Sequence, residues 1–131
     1  MEKTNRCVRV YIASPYTNGD KEDNVQLQIA ATYHLLKMGF NPYMPIYHHF
    51  VQKVYPDLDH SIPWLAIDKE WLMHCDMAVR LHPKDKNGIE IYSPGADEEQ
   101  DFCEKNNILM LHFETVEEMI SALLDYDNEI E

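Results

Sequence analysis

Two acidic residues fall on faces of their helices that should be apolar. Ser93-Pro94-Gly95-Ala96-Asp97-Glu98-Glu99 reads as a loop turning into a helix, with Ser93 as the N-cap and Pro94 at the first helical position. At about 100° per residue, Ala96, Phe102 and Cys103 define the inward face. Glu99 lies in the middle of that face, whereas Asp97, Glu98 and Asp101 point elsewhere. The same count on the helix opened by Ser61 and Pro63, reaching about His74, puts Trp64, Leu65, Ile67, Trp71, Leu72 and Cys75 on one broad face. Asp68 sits inside that face, with Lys69 and Glu70 turned away. A buried carboxylate is costly unless something pairs with it or uses it. Either acid alone also reads as a local cap or a partner for a lysine. Both together are what glycosidic bond cleavage needs: one attacks the anomeric carbon or stabilises an oxocarbenium-like centre, and the other handles the proton of the leaving group or water.

These acids need a frame, and the chain supplies alternating strands and helices. Val8–Ala13 is a strand by its β-branched and aromatic content, residues 14–20 are a loop, and a helix runs from about Asp23 to Met38. Its inner stripe is Val25, Ile29, Thr32 and Leu36, and Gly39 stops it. Residues 40–45 form a short second strand whose prolines place it at an edge. Residues 46–62 read as a long irregular, aromatic-rich loop of the kind that carries function. Met77–Leu81 is the third strand, 82–92 a loop, and Ile108–Leu111 the fourth strand, after a helix that ends near Asn106-Asn107. An amphipathic helix covers about 116–126, and the acidic end 127–131 frays. The order predicts an α/β fold: a flavodoxin- or Rossmann-like three-layer sandwich with a parallel sheet of four to five strands and helices on both faces. Ligands of such sheets bind beyond the carboxyl ends of the strands, at the topological switch point. The loops at 14–20, 46–62 and 82–95 converge there.

The length of 131 residues predicts one domain, 1–131. A net charge of −12, with lysines and arginines scattered and unclustered, argues against a nucleic-acid partner. A small anion remains compatible, because helix N-termini bind phosphate without basic side chains. Cys7, Cys75 and Cys103 are odd in number and far apart, which reads as reduced core thiols of a cytoplasmic protein. Residues 1–6 lack a signal-peptide apolar region and no apolar run is long enough to cross a membrane.

Four pieces of the chain, in order, resemble the nucleoside 2-deoxyribosyltransferase superfamily, including its nucleoside-5′-monophosphate N-glycosidase branch. They are Val10-Tyr11-Ile12-Ala13-Ser14-Pro15-Tyr16, the strand exit Met44-Pro45, the spacing of Asp68 and Asp76, and Ser93-x-Gly95-Ala96-x-x-Glu99. The resemblance implies that Glu99 is a nucleophile attacking C1′ to form a covalent ribosyl-enzyme intermediate. It implies that Asp68 contacts the base and helps protonate it, and that Tyr11 orients Glu99. Ser14, Pro15, Tyr16, His49, Ala96, Ser93 and the amides around Gly95 become substrate-binding, the last two facing the 5′ end of the sugar. Asp76 matches a structural position. A serine at position 93 resembles the monophosphate branch. That branch usually has a Gly- and Arg-containing first loop, and this chain has Ser14-Pro15-Tyr16-Thr17 with only Lys21 nearby. Free nucleoside and 5′-monophosphate therefore both stay open. The implied protein is a homodimer or higher homo-oligomer acting on a small nucleoside or nucleotide without a cofactor.

His48 and His49 carry no metal signature, because adjacent side chains on extended backbone diverge and no His-x-x-x-His or Cys-x-x-Cys accompanies them. No metal site is expected, and one of the two histidines lines the cleft. Tyr16, Tyr47 and Tyr55 are candidates for stacking on a base; Trp64 and Trp71 read as core or dimer contacts. A non-catalytic nucleotide-binding or sensor module of the same fold is the alternative function. Receiver and flavin domains are disfavoured, since no clustered acids and no Ser/Thr/Gly-rich cradle follow the first strand.

Overall fold

The structure, a computed structural model, describes residues 8–58 and 61–129, the last five of these by backbone alone. Their order is β1 (Arg9–Ala13), α1 (Lys21–Lys37), β2 (Asn41–Tyr43), α2 (Tyr47–Val54), α3 (Trp64–Met73), β3 (Met77–Leu81), α4 (Pro94–Lys105), β4 (Leu109–Phe113) and α5 (Val116–Glu129). The four strands described form one parallel sheet in the order β2-β1-β3-β4. The α/β sandwich is thus as expected, with four strands and with β2 at an edge.

Alternation along the strands divides the core in two. Val10 and Ile12 of β1 and Met77, Val79 and Leu81 of β3 pack with Ala31 and Leu35 of α1 and with Met119 and Leu123 of α5. Tyr11, Ala13 and Ala78 face the opposite side, against Leu72 of α3 and Ala96 and Cys103 of α4. The chain moves from β1 to β2 in one direction and returns past β1 to β3. The switch point therefore lies between the carboxyl ends of β1 and β3, with α1 on one face and α3 and α4 on the other.

Two helix ends follow the sequence signals closely. Gly39 takes φ +90° after α1, with Phe40 N–H donating to the Leu35 carbonyl, and Asn107 takes φ +57° after α4, with Ile108 N–H donating to the Cys103 carbonyl. Asp76 is structural, as expected: its carboxylate accepts from Arg9 N–H at 2.7 Å, locking the start of β3 to β1.

Three expectations are corrected. The inner face of α1 is Asn24, Val25, Gln28, Ala31 and Leu35; Leu36 is exposed. Two buried amides displace the apolar stripe, for reasons that the cleft makes plain below. Residues 47–54, expected to be irregular, form α2. None of its residues is buried and no side chain caps it, but Tyr47, Phe50, Val51 and Val54 fall at i, i+3, i+4 and i+7, an apolar stripe of helical period. Finally, α5 continues to Glu129, past the expected start of fraying at 127, while Ile130 and Glu131 lie outside the described residues, as does Cys7.

Candidate active site

At the switch point the three loops and two helix N-termini enclose a cleft of about 220 Å³. That is compact for a small-molecule site, for which about 300–1,000 Å³ is usual. Ser14, Tyr16, Thr17 and Asn18 line it from the loop after β1, Ile46 and His48 from the segment after β2, and Trp64, Leu65 and Asp68 from α3. Tyr92, Ser93, Pro94, Gly95, Ala96 and Glu99 close the remaining side.

The walls are tied together by the two amides inside α1. Asn24 donates to the carbonyls of Tyr16 (3.0 Å) and Asn18 (2.7 Å). Gln28 donates to Ser14 Oγ at 2.7 Å, and its Oε1 accepts from Ile46 N–H at 2.9 Å. One side chain thereby fixes the first and second loops to each other. Asn18 donates to the Tyr92 carbonyl at 2.8 Å, joining the first loop to the third. Gly19, at φ +79°, lies so close to Ile91 that a Cβ would approach its side chain to 3.0 Å.

Glu99 and Asp68 both face this cleft and are almost fully buried, at 6% and 5% exposure. The inward positions counted along the helices are therefore where the side chains lie. Tyr11, wholly buried on β1, donates its hydroxyl to Glu99 Oε2. Burial pushes the Glu99 carboxyl up to about 8; the Tyr11 hydrogen bond opposes the rise, the Asp68 charge adds to it, and Arg80 and Lys69 oppose it. Burial, then the Glu99 charge, holds Tyr11 far above the ordinary phenol range, so Tyr11 stays the donor in this pair.

Asp68 is gripped on its far side. His48 Nε2 stands 3.3 Å from both Asp68 carboxylate oxygens, and the Tyr43 hydroxyl donates to Oδ1 at 3.4 Å. The His48 ring lies flat on Trp64, with centroids 4.3 Å apart and planes 6° apart. Trp64 Nε1–H is buried without a protein partner among the described residues.

Ser93 caps α4, accepting from Ala96 N–H through its side chain at 3.2 Å and from Asp97 N–H through its carbonyl at 3.0 Å. Among the cleft-lining residues there is no lysine or arginine. Outside the lining, Arg80 binds Asp97 at 2.8 Å and Gln100 at 2.7 Å on α4, Lys69 lies 3.9 Å from Glu98, and Lys21 Nζ stands 5.3 Å from the centre of the Tyr16 ring.

Most of the residues singled out from the sequence meet here. Ser14, Tyr16, Asp68, Ser93, Gly95, Ala96 and Glu99 line the cleft, and Tyr11 supports Glu99 from beneath. Pro15 is buried behind the first loop and is not part of the lining. His49 is displaced from the role expected of it. On α2, adjacent residues diverge by about 100°, so His48 takes the cleft position while His49 holds Tyr16 from behind through a 2.8 Å contact with its hydroxyl. Tyr55 and Trp71 are exposed, and Trp71 stacks on Tyr43 instead of entering the core. Tyr47 packs edge-on against Tyr43 and Trp64. Cys75 and Cys103 are raised to about 11 by burial, as unreactive packed thiols should be. Among the described residues no group of three or more potential ligands could hold a metal ion, and no helix is long and apolar enough to cross a membrane.

Sequence reasoning missed Gln28, Asn24, Tyr43 and Arg80, and the histidine expected to line the cleft is His48. Arg80 carries a readable signal, as a lone charge inside Met77-Ala78-Val79-Arg80-Leu81, a strand buried throughout. Compared with known proteins, the chain matches no protein-family model and no curated protein.

Proposed function

We propose that this protein cleaves or exchanges the N-glycosidic bond of a nucleoside or nucleoside 5′-monophosphate, with Glu99 as nucleophile and Asp68 as the acid serving the departing base. The observation that carries this reading is the pair of buried carboxylates on two helices facing one cleft, one held by a phenol that cannot ionise and the other by an imidazole. Retaining glycosidic chemistry asks for such a division of labour: one oxygen nucleophile aimed at C1′ and one proton donor on the side of the leaving group. The resemblance to the 2-deoxyribosyltransferase superfamily supports the same assignment and adds a homo-oligomer.

Within this reading the cleft favours a free 5′-hydroxyl over a phosphate. Its lining holds two acids and no lysine or arginine, so a phosphate would rest on the start of α4, near the Ser93 hydroxyl, with Lys21 over the Tyr16 ring as the lysine beside the lining. Incubating the protein with paired nucleosides and 5′-monophosphates and following free base by chromatography tests this. Base release from the nucleosides, lost in Glu99→Ala, is expected. No release from any substrate, or equal release by Glu99→Ala, contradicts it.

A second reading has its own observation. A carboxyl raised to about 8 is largely neutral at pH 7 and can donate a hydrogen bond, which suits a binding module that never cleaves its ligand. Thermal stabilisation by nucleosides with no base released at any pH favours that reading.

A further inference from the structure

His48 is not accounted for by the roles given to Glu99, Asp68 and Tyr11. It lies on a helix with no buried residue of its own, yet its side chain is only 13% exposed. Its Nε2 stands 3.3 Å from both oxygens of Asp68, and its ring is clamped flat on Trp64. Stacking fixes the ring plane; the carboxylate fixes which edge points inward. The other titratable groups facing this pair are Tyr43 of β2 and Tyr47 beside it on α2, and, across the cleft from Asp68, Glu99 of α4 and Tyr11 of β1. No other ionisable side chain is within hydrogen-bond reach of Nε2 among the described residues, so the imidazole edge is committed to Asp68.

We propose that His48 is a positioning residue for Asp68 that also replaces the proton Asp68 gives up, so that the two act as one acid toward the departing base. The proposal rests on the glycosidic reading above. As a Glu99 oxygen bonds to C1′, the C1′–N bond breaks and its electron pair stays on the base nitrogen. That nitrogen takes a proton from Asp68, which draws it from Nε2 of His48, and the imidazole regains a proton from water. No oxidant, reductant or co-reactant enters. A carboxyl alone gives up its proton once and must recover one while the departing base still occupies the cleft. The histidine supplies a second titratable group within 3.3 Å of the buried acid.

Two variants separate proton supply from packing. His48→Gln keeps a donor toward Asp68 but cannot pass a proton on, and His48→Phe keeps the ring on Trp64 but has no N–H. Each is assayed with nucleosides matched in sugar but differing in the leaving base: uracil against the more acidic 5-fluorouracil, and guanine against 7-methylguanine, whose cationic form departs without an added proton. General acid catalysis contributes about 10²–10⁴-fold. Both variants are therefore expected to lose about tenfold or more in rate on uracil and guanine relative to their loss on the easily departing partners. Melting curves establish that each variant is folded. An equal loss on both members of each pair, or wild-type rates in His48→Phe, overturns the proposal while leaving Glu99 chemistry intact. If the wild-type protein releases none of the four bases, the glycosidic reading itself fails, and the role of His48 with it.

Discussion

Glu99 keeps its proton because burial outweighs the help it receives from Tyr11 and Arg80, and this has consequences that single substitutions reveal. With a folded-state pKa of about 8 against an ordinary 4.5, the native protein holds a proton that the unfolded chain releases across that interval. Stability contributed by the protonated form is complete below about pH 4.5 and is lost as pH rises through 8. Glu99→Gln, whose side-chain carbonyl still accepts from Tyr11, removes that loss. Its melting temperature should match wild type at acid pH and exceed it above pH 8. The gain corresponds to a few kcal/mol at most, because a tenfold change in proton affinity is worth about 1.4 kcal/mol. A variant less stable than wild type at pH 9 would refute the account of Glu99. For catalysis the same raised pKa places the acid limb of kcat/KM near 8. Tyr11→Phe, which removes a hydrogen bond favouring the carboxylate, should move that limb to higher pH while lowering the rate. At this scale the sequence is legible wherever one helix suffices: angular counting finds Glu99 and Asp68 because each stands out against its own helix. Tyr11 comes only from the family resemblance, since a tyrosine in a strand is unremarkable until the residue above it is known. His48 cannot be separated from His49 by sequence, because the two diverge toward different partners whether the segment is extended or helical.

At the scale of elements, the cleft depends on α1 more than its sequence suggests. An apolar stripe is the ordinary expectation there, and its phase comes out wrong because Asn24 and Gln28 occupy the inward positions that such a stripe would fill. Their role is to satisfy groups of two loops that cannot satisfy each other. Gln28→Leu keeps the volume but leaves Ile46 N–H, which starts α2, without its acceptor and Ser14 Oγ without its donor. A loss of about 1–3 kcal/mol is expected in chemical denaturation. The damage should extend to ligand binding, because Ser14, Ile46 and His48 all hang on this side chain. A Gln28→Leu protein with unchanged stability and unchanged nucleoside binding would show that the loops are held otherwise. Element existence is readable from turn residues and β-branched runs, and the caps at Gly39 and Asn106-Asn107 mark helix ends well. α2 is legible too, since Tyr47, Phe50, Val51 and Val54 recur at helical spacing, but no capping residue marks its start and Phe50, Val51 and Val54 stay exposed.

On the scale of the whole molecule, the sheet order β2-β1-β3-β4 brings distant segments together. Tyr11 and Glu99 are 88 residues apart in the chain, and Tyr43 and Asp68 are 25 apart. Alternation of strands and helices predicts where they meet, at the carboxyl ends on either side of the switch point, and the cleft lies there. What alternation does not give is which side chains pass beneath the cleft and which line it, as Pro15 and His49 show. The net charge of −12 is spread around a site that itself contains two acids and no lining cation, and that balance is why the account favours a neutral nucleoside over a phosphorylated one. The central claim is that Glu99 becomes covalently attached to the sugar. Its most direct test is the mass of the intact protein, quenched in acid during turnover of a nucleoside at about pH 8, followed by peptide mapping. The account predicts a mass increase equal to one sugar residue, carried by the peptide containing Glu99 and absent from Glu99→Gln. Base release with no adduct, or an adduct that persists in Glu99→Gln, would contradict it.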